Sequence, residues 1–179
     1  SAVPLANALA MQDNAELGGK YLVQQTAKSH SKLRKIHYIA EYYAKNGEQD
    51  AAGEYYQALL ELIPEDFVTL NNYANLAIAQ GNTGKAVELA QKALKIQPNS
   101  PYAMDTLGWA LFHENKYSDA LTYIKKAHAE LPKNNEVTLH LIELLIATGS
   151  KDKANGLINR FKPSNDAEKS TLARLSANI

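Results

Sequence analysis

The sequence contains no cysteine, which excludes disulfide bonds, thiolate metal sites and cysteine nucleophiles. It also has no excess charge of either sign, because 19 lysine and arginine residues balance 19 aspartate and glutamate residues. A protein that binds nucleic acid broadly would carry a basic excess to neutralise phosphates, so we expect no nucleic-acid partner. No apolar run approaches the roughly 18 residues needed to cross a bilayer, so we expect no membrane insertion by this segment.

Signals for catalysis, metal binding and export are missing as well. The five histidines include no i, i+4 pair, and no nucleophile stands beside a base in any familiar pattern. The segment 81–85 contains glycine and lysine as a phosphate loop does, but its glycines are too close together, Ala86 replaces the hydroxyl residue and no strand precedes it. We therefore expect a non-enzymatic protein with no cofactor and no metal. The first residues have neither a basic start nor an apolar segment, so no signal peptide is expected there, and the compartment stays open between cytoplasm and envelope.

The chain does contain an internal repeat, and proline marks its 34-residue step. Proline recurs at Pro64, Pro98 and Pro132, each closing an apolar segment. Alanine and turn-forming residues recur at the same step, at Ala52, Ala86, Ala120 and Ala154, and at Gly47, Gly81, Asn115 and Gly149. Two apolar or small columns complete the pattern, at Ile39, Tyr73, Leu107 and Leu141, and at Ala40, Ala74, Gly108 and Ile142.

Each column has a physical reason that points to a pair of helices. Glycine or asparagine adopts the left-handed conformation that ends one helix and turns the chain into the next. A small side chain shortly after this turn lets the two antiparallel helices approach closely, and proline ends the second helix. Apolar residues between these points follow helical spacing, and no segment alternates with the period of a strand. The sequence therefore predicts an all-α fold of repeated helix pairs.

On these columns the sequence resembles the tetratricopeptide repeat (TPR) family. The second copy carries the motif as Leu70, Tyr73, Ala74, Ala77, Gly81, Ala86, Ala90, Ala93 and Pro98. We predict repeats at 33–66, 67–100, 101–134 and 135–168, a degenerate helix pair at 1–32 and an amphipathic closing helix at 165–179. The fourth copy departs from the motif, with Ile142 in place of a small residue and Asp166 in place of proline. The expected architecture is a single TPR domain over 1–179, a right-handed superhelical solenoid of about eleven helices.

The resemblance implies a protein-interaction scaffold that holds a peptide or a partner helix. In such an array the first helix of each pair lines a concave groove. The candidate peptide-binding residues on that face are Tyr38, Asn71, Asn72, Asn75, Tyr102, Asp105 and Trp109. Carboxamides can donate to and accept from a peptide backbone without reading its sequence, and tryptophan is enriched at binding hot spots. The alternatives are solvated asparagines and a tryptophan that packs against the neighbouring repeat.

Of the other functions known in the family, one is disfavoured by the residues and one stays open. The carboxylate clamp of some TPR domains, which grips chaperone tails with lysine, arginine and asparagine, is disfavoured because only Asn72 or Asn75 matches it in either register. The runner-up function is a structural segment of a longer solenoid. The stretch from Asp105 to Leu111 resembles the closing repeats of long bacterial TPR proteins, some of them envelope lipoproteins linked to polysaccharide or protein export. The closing helix could also pair with a second copy and form a homodimer.

Overall fold

The computed structural model describes residues 30–179, with side chains from Ile36 onward, and every regular element in that range is an α-helix. The helices are α1 (His30–Lys45), α2 (Gln49–Leu62), α3 (Phe67–Ala79), α4 (Thr83–Ile96), α5 (Pro101–His113), α6 (Tyr117–Glu130), α7 (Asn135–Ala147), α8 (Lys151–Ile158) and α9 (Asp166–Ser176). The described residues thus hold nine helices rather than the expected eleven or so. The additional pair was predicted for residues 1–32, which lie almost wholly outside the described range.

The turns between paired helices form at the predicted column. Gly47, Gly81 and Gly149 have φ of +81°, +74° and +74°, and Asn115, the non-glycine residue in this column, has φ of +61°. Among residues with a side chain, asparagine tolerates this left-handed conformation best. Glycine adopts it freely because it has no Cβ. The backbone chemistry of one residue therefore sets where each first helix ends.

A second column, which the sequence motif did not include, starts the first helices. The N-cap residues of α3, α5 and α7 lie two positions after the repeated proline and accept a hydrogen bond from the backbone N–H three positions on. These residues are Asp66, Ser100 and Asn134. Asn165 caps α9 in the same way, accepting from the Glu168 N–H at 2.9 Å. Capping residues that recur at the repeat step could therefore have predicted where these first helices start.

The described helices gather into two compact units, which divide after residue 82. In the first unit α1, α2 and α3 pack on one another. In the second unit α4 to α8 pack in chain order, and the first helices α5, α7 and α9 lie side by side. The boundary falls in the turn after α3, inside the predicted repeat 67–100, and the single domain over 1–179 stays a prediction.

Close helix approach explains the small-residue columns. Ala52, Ala86, Ala120 and Ala154 are all fully buried. Between α5 and α6 the contact is tight at Gly108, where an added Cβ would lie 2.6 Å from Ile124 Cγ1 and 3.2 Å from the Ala120 carbonyl oxygen. Only glycine fits at this crossing without moving its neighbours.

We expect Gly108→Ala to destabilise the protein by about 1–2 kcal/mol, because overpacking against Ile124 and the α6 backbone outweighs the better helix propensity of alanine. The matched control is Gly156→Ala in α8, where no atom lies within 4 Å of an added Cβ. That change should stabilise by about 0.5–1 kcal/mol. Urea unfolding followed by circular dichroism gives both values, and stabilisation by both alanines would contradict the close crossing.

Candidate functional site

Side chains on neighbouring first helices meet at a separation of 31 positions in the sequence. The pairs are Glu41 with Asn72 in the first unit, and Trp109 with His140 and Glu143 with Arg174 in the second. The repeat step is 34 residues, so a separation of 31 is about one helical turn shorter. Each residue therefore contacts a position on the next first helix that lies one turn before its own equivalent there. The predicted binding residues lie on these same faces.

Trp109, the sole tryptophan, joins α5 to α7 through its ring. Its indole stacks on His140 with ring centroids 4.0 Å apart and planes at 14°, and on Phe112 at 4.7 Å and 3°. The ring of His113 meets it edge-on at 4.8 Å. Trp109 is half-buried, so it offers a ligand only the surface that these rings leave uncovered.

Asp105 orients the histidine that stacks on Trp109. The Nδ1 atom of His140 lies 3.0 Å and 3.1 Å from the two carboxylate oxygens of Asp105. Both side chains are largely buried, at 14% exposed for the histidine and 10% for the aspartate. Because an ionised carboxylate only accepts, this contact requires a proton on Nδ1 and fixes the orientation of the ring. Asp105, predicted to contact a ligand, is thus bound to His140 within the protein.

The three predicted asparagines have different environments in the first unit. The Asn72 side chain donates to Glu41 Oε1 at 3.0 Å. Near this pair, burial and the negative charge of Glu41 raise the pKa of Tyr56 to about 12. Asn71 is half-buried, and its Oδ1 atom accepts no hydrogen bond from any described residue. Asn75 is exposed.

A histidine-to-cap contact joins α1 to the start of α3. The Nε2 atom of His37 lies 3.2 Å from Asp66 Oδ2, and the Thr69 hydroxyl and backbone N–H donate to the same carboxylate at 2.7 Å and 2.8 Å. The hydrogen bond from His37, followed by those from Thr69, lowers the pKa of Asp66 to about 2. The cap thus stays ionised at neutral pH, and the contact strengthens the first unit.

The closing helix α9 is held on α7 by polar contacts at both ends. Arg174 donates through two nitrogens to the two carboxylate oxygens of Glu143, at 3.0 Å and 3.1 Å. At the other end the Asn135 side chain donates to Glu168 Oε2 at 2.7 Å. A bidentate arginine pair has a defined geometry, so α9 has one register against α7.

The predicted site residues therefore fall into three environments. Tyr38 and Tyr102 are 70% and 56% exposed, and Asn75 is exposed with them. Asn71, Asn72 and Trp109 are half-buried, and Asp105 is buried. Direct contact between these residues and a ligand stays a prediction.

Two negative findings concern residues 30–179. No three acidic or histidine side chains in that range stand close enough together to hold a metal ion. None of its helices is both long and apolar enough to span a membrane.

Repeated antiparallel helix pairs with left-handed turn residues define a helical-repeat protein. Three profiles described as tetratricopeptide repeat match the chain, at residues 38–66, 68–100 and 111–179. Together they span most of the described residues. The chain belongs to the tetratricopeptide repeat family, which confirms the resemblance seen in the sequence.

Two curated relatives are much longer than this chain. It is 35% identical over 81 residues to the TPR repeat-containing protein PA4667 of Pseudomonas aeruginosa, which covers 45% of this chain and 14% of that protein. It is 28% identical over 116 residues to the cytochrome c-type biogenesis protein CycH of Rhizobium meliloti, covering 61% of this chain and 30% of that one. The chain thus spans less than a third of either relative.

Several solved structures share the fold of this chain. TTC0263, a thermophilic TPR protein of Thermus thermophilus, matches with a TM-score of 0.71 and 15% identity, covering 98% of this chain and 97% of that one. Pseudomonas aeruginosa pilF matches with 0.66 and 18%, covering 99% and 83%. The first TPR of Spaghetti (RPAP3), bound to an HSP90 peptide, matches with 0.61 and 21%, covering 68% and 96%. The predicted all-α tetratricopeptide fold is confirmed.

Proposed function

We propose that this chain is a non-enzymatic protein-interaction scaffold that binds a peptide or partner helix on the exposed face of its first helices. The observation that carries the proposal is the exposure of large aromatic side chains on that face. Tyr38 is 70% exposed in the first unit and Tyr102 is 56% exposed in the second. Tyrosines are favoured anchors at protein interfaces because they combine apolar area with a hydroxyl. Membership of the TPR family and the peptide-bound RPAP3 relative support a peptide as ligand.

The pairing of charges on this face indicates which peptides it would accept. The carboxylates of Glu41, Asp105 and Glu143 are bound by Asn72, His140 and Arg174 respectively. Arg174 is held through two nitrogens by Glu143, so it is not available to a carboxylate tail without breaking that pair. We therefore expect a ligand recognised through backbone amides and apolar side chains, rather than an acidic C-terminus.

The internal pairs give the surface a fixed shape. Stacking of Trp109 on His140 and the contact of that histidine with Asp105 order three side chains before any ligand arrives. A surface that is ordered in advance loses less conformational entropy when it binds. In this proposal Asn72 shapes the surface of the first unit, where Tyr38 and Asn75 contact a ligand. Asp105 and Trp109 shape the surface of the second unit, where Tyr102 contacts a ligand.

A second candidate function is supported by the coverage of the curated relatives. The chain aligns with 14% of PA4667 and 30% of CycH, as one segment of a longer protein would. In that case it serves as a structural segment of a longer TPR solenoid, of the kind found in envelope proteins linked to polysaccharide or protein export. Its ends, rather than its first-helix face, would then make the working contacts.

The test is affinity capture from the source organism, with captured proteins identified by mass spectrometry. We expect wild type to capture a protein that the Tyr38→Ala/Asn75→Ala/Tyr102→Ala variant loses, with at least about a tenfold weaker Kd for the purified partner. All three positions are exposed, so the variant should keep the fold. Fluorescence of Trp109 on the second unit's binding face reports binding of the purified partner directly.

The matched control is Gln57→Ala/Lys125→Ala, which alters exposed residues on the second helices α2 and α6. It should bind as wild type does. Capture of the same proteins by all three chains would rule out the first-helix face as the binding surface and favour the solenoid-segment function.

A further inference from the structure

His140 on α7 has one ring nitrogen that is bound within the protein and one that is not. Its Nδ1 atom lies 3.0 Å and 3.1 Å from the two carboxylate oxygens of Asp105. Its Nε2 atom hydrogen-bonds to no residue between 36 and 179, and it is not among the fully buried atoms of that range. The exposed 14% of this side chain therefore includes a polar atom without an internal partner.

Asp105 fixes the chemistry of that second nitrogen. An ionised carboxylate only accepts hydrogen bonds, so Nδ1 carries the ring proton whenever the imidazole is neutral. Nε2 then holds a lone pair, which can accept a hydrogen bond but cannot donate one. The ring of His140 stacks on Trp109 with centroids 4.0 Å apart, and this stacking fixes the direction in which the lone pair points.

The charged and aromatic neighbours of His140 make no use of Nε2. Arg174, the equivalent of His140 one repeat step later, donates through two nitrogens to Glu143, which stands 31 positions before it. At the same distance before His140 stands Trp109, which offers a ring in place of a carboxylate. His113 meets the edge of that indole. Within the described part of the chain, no hydrogen bond or ion pair reaches His140 from α6, α8 or α9.

We propose that Nε2 of His140 is a hydrogen-bond acceptor that selects peptides by an N–H donor on the second unit's face, with Asp105 as its positioning residue. The inference rests on the proposed peptide binding and deepens it. Tyr102, exposed one turn before Asp105 on α5, supplies apolar area on the same helix face. A backbone N–H or an ammonium group of a peptide satisfies Nε2, whereas a carbonyl or carboxylate oxygen there leaves two acceptors facing each other.

Nitrogen-15 NMR of the full chain tests the proton position first. The measurement is made at pH 8, where an ordinary histidine with a pKa of about 6.5 is neutral. We expect a proton on Nδ1 of His140 and the chemical shift of an unprotonated nitrogen for Nε2. Asp105→Asn should move part of the proton to Nε2, because an asparagine amide can donate to Nδ1. A proton on Nε2 in the wild-type protein would overturn the proposal.

The binding probe is a set of short peptides selected from a random phage-displayed library on the purified chain and then synthesised. Peptides whose binding Tyr102→Ala weakens are kept, since they bind the second unit. Each backbone N–H of these peptides is replaced by N-methyl, and each amine is acetylated, which distinguishes a backbone donor from an ammonium donor. We expect one such change to weaken the Kd for the wild-type protein about tenfold, as loss of one hydrogen bond does.

The same change should have less than about twofold effect on Asp105→Leu/His140→Phe, which keeps a ring against Trp109 but has no nitrogen there. This variant replaces both partners with apolar groups, and leucine already stands at the equivalent of Asp105 in the next repeat, at Leu139. The matched control is Asp119→Leu/His128→Phe, the same substitutions on the second helix α6. It should respond to the modified peptides as wild type does.

The outcomes separate this inference from the proposed function. Equal losses on wild type and on Asp105→Leu/His140→Phe would overturn the inference while leaving peptide binding intact. If the library yields no peptide, or Tyr102→Ala weakens none of those selected, the proposed function fails in the second unit and this inference fails with it.

Discussion

Ala120→Glu is expected to abolish cooperative folding of residues 83–179. Ala120 is fully buried where α6 crosses α5, and its carbonyl oxygen is 3.2 Å from where a Cβ on Gly108 would lie. A glutamate there must bury a charge with no partner or force the helices apart. Either outcome costs at least about 4 kcal/mol, a large share of the roughly 5–15 kcal/mol that stabilises a typical domain.

Thermal unfolding followed by Trp109 fluorescence measures this effect locally, because the sole tryptophan lies on α5. The control is Ala129→Glu, the same substitution at an exposed position of the same helix. It should change stability by no more than about 0.5 kcal/mol. Near-normal melting of Ala120→Glu would show that the repeat register is wrong.

Ile142→Ala is expected to destabilise the second unit by about 2–5 kcal/mol, although alanine or glycine stands in this column in the other three repeats. Ile142 is fully buried, whereas Ile158, which stands on α8 in the column of Ile124, is only half-buried. In the third pair the large buried residue is on the second helix, with Gly108 facing it. In the fourth pair the large buried residue is Ile142 on the first helix, so shortening its side chain to alanine leaves a cavity.

Two variants sharpen this prediction. Ile142→Val should cost about 1 kcal/mol, and Ile146→Ala, at a half-buried position one turn later, should cost less than Ile142→Ala. Chemical unfolding of the three variants gives the order. A loss below about 0.5 kcal/mol for Ile142→Ala would mean that the two helices close up, as the repeat motif alone suggests.

Much of the fold could be read from single residues. The left-handed φ values at Gly47, Gly81, Asn115 and Gly149, and the full burial of the alanine column, agree with the sequence. The N-cap column was equally readable, since Asp66, Ser100 and Asn134 follow the prolines at a constant step. These features depend on local backbone chemistry, which is why one sequence suffices to predict them.

The candidate site was only partly predictable. The sequence placed Trp109 and Asp105 on one helix face, but their shared partner His140 belongs to another helix, a full repeat away. A search for paired residues at the spacing of Trp109 and His140 would have found Glu41 with Asn72 and Glu143 with Arg174 as well. A comparison of residues at the 34-residue repeat step does not find these pairs, because contacts between neighbouring first helices are offset by about one helical turn.

The sequence by itself determined the repeat, its turns and the helices that they separate, because glycine, proline and small side chains constrain the chain within a few residues. Tertiary structure alone decided which residues on the first-helix face are exposed. Tyr38 and Tyr102 remain exposed on the surface, whereas Asp105 is bound within the protein. That division follows from the packing of helices distant in sequence, which sets the partner of every polar group.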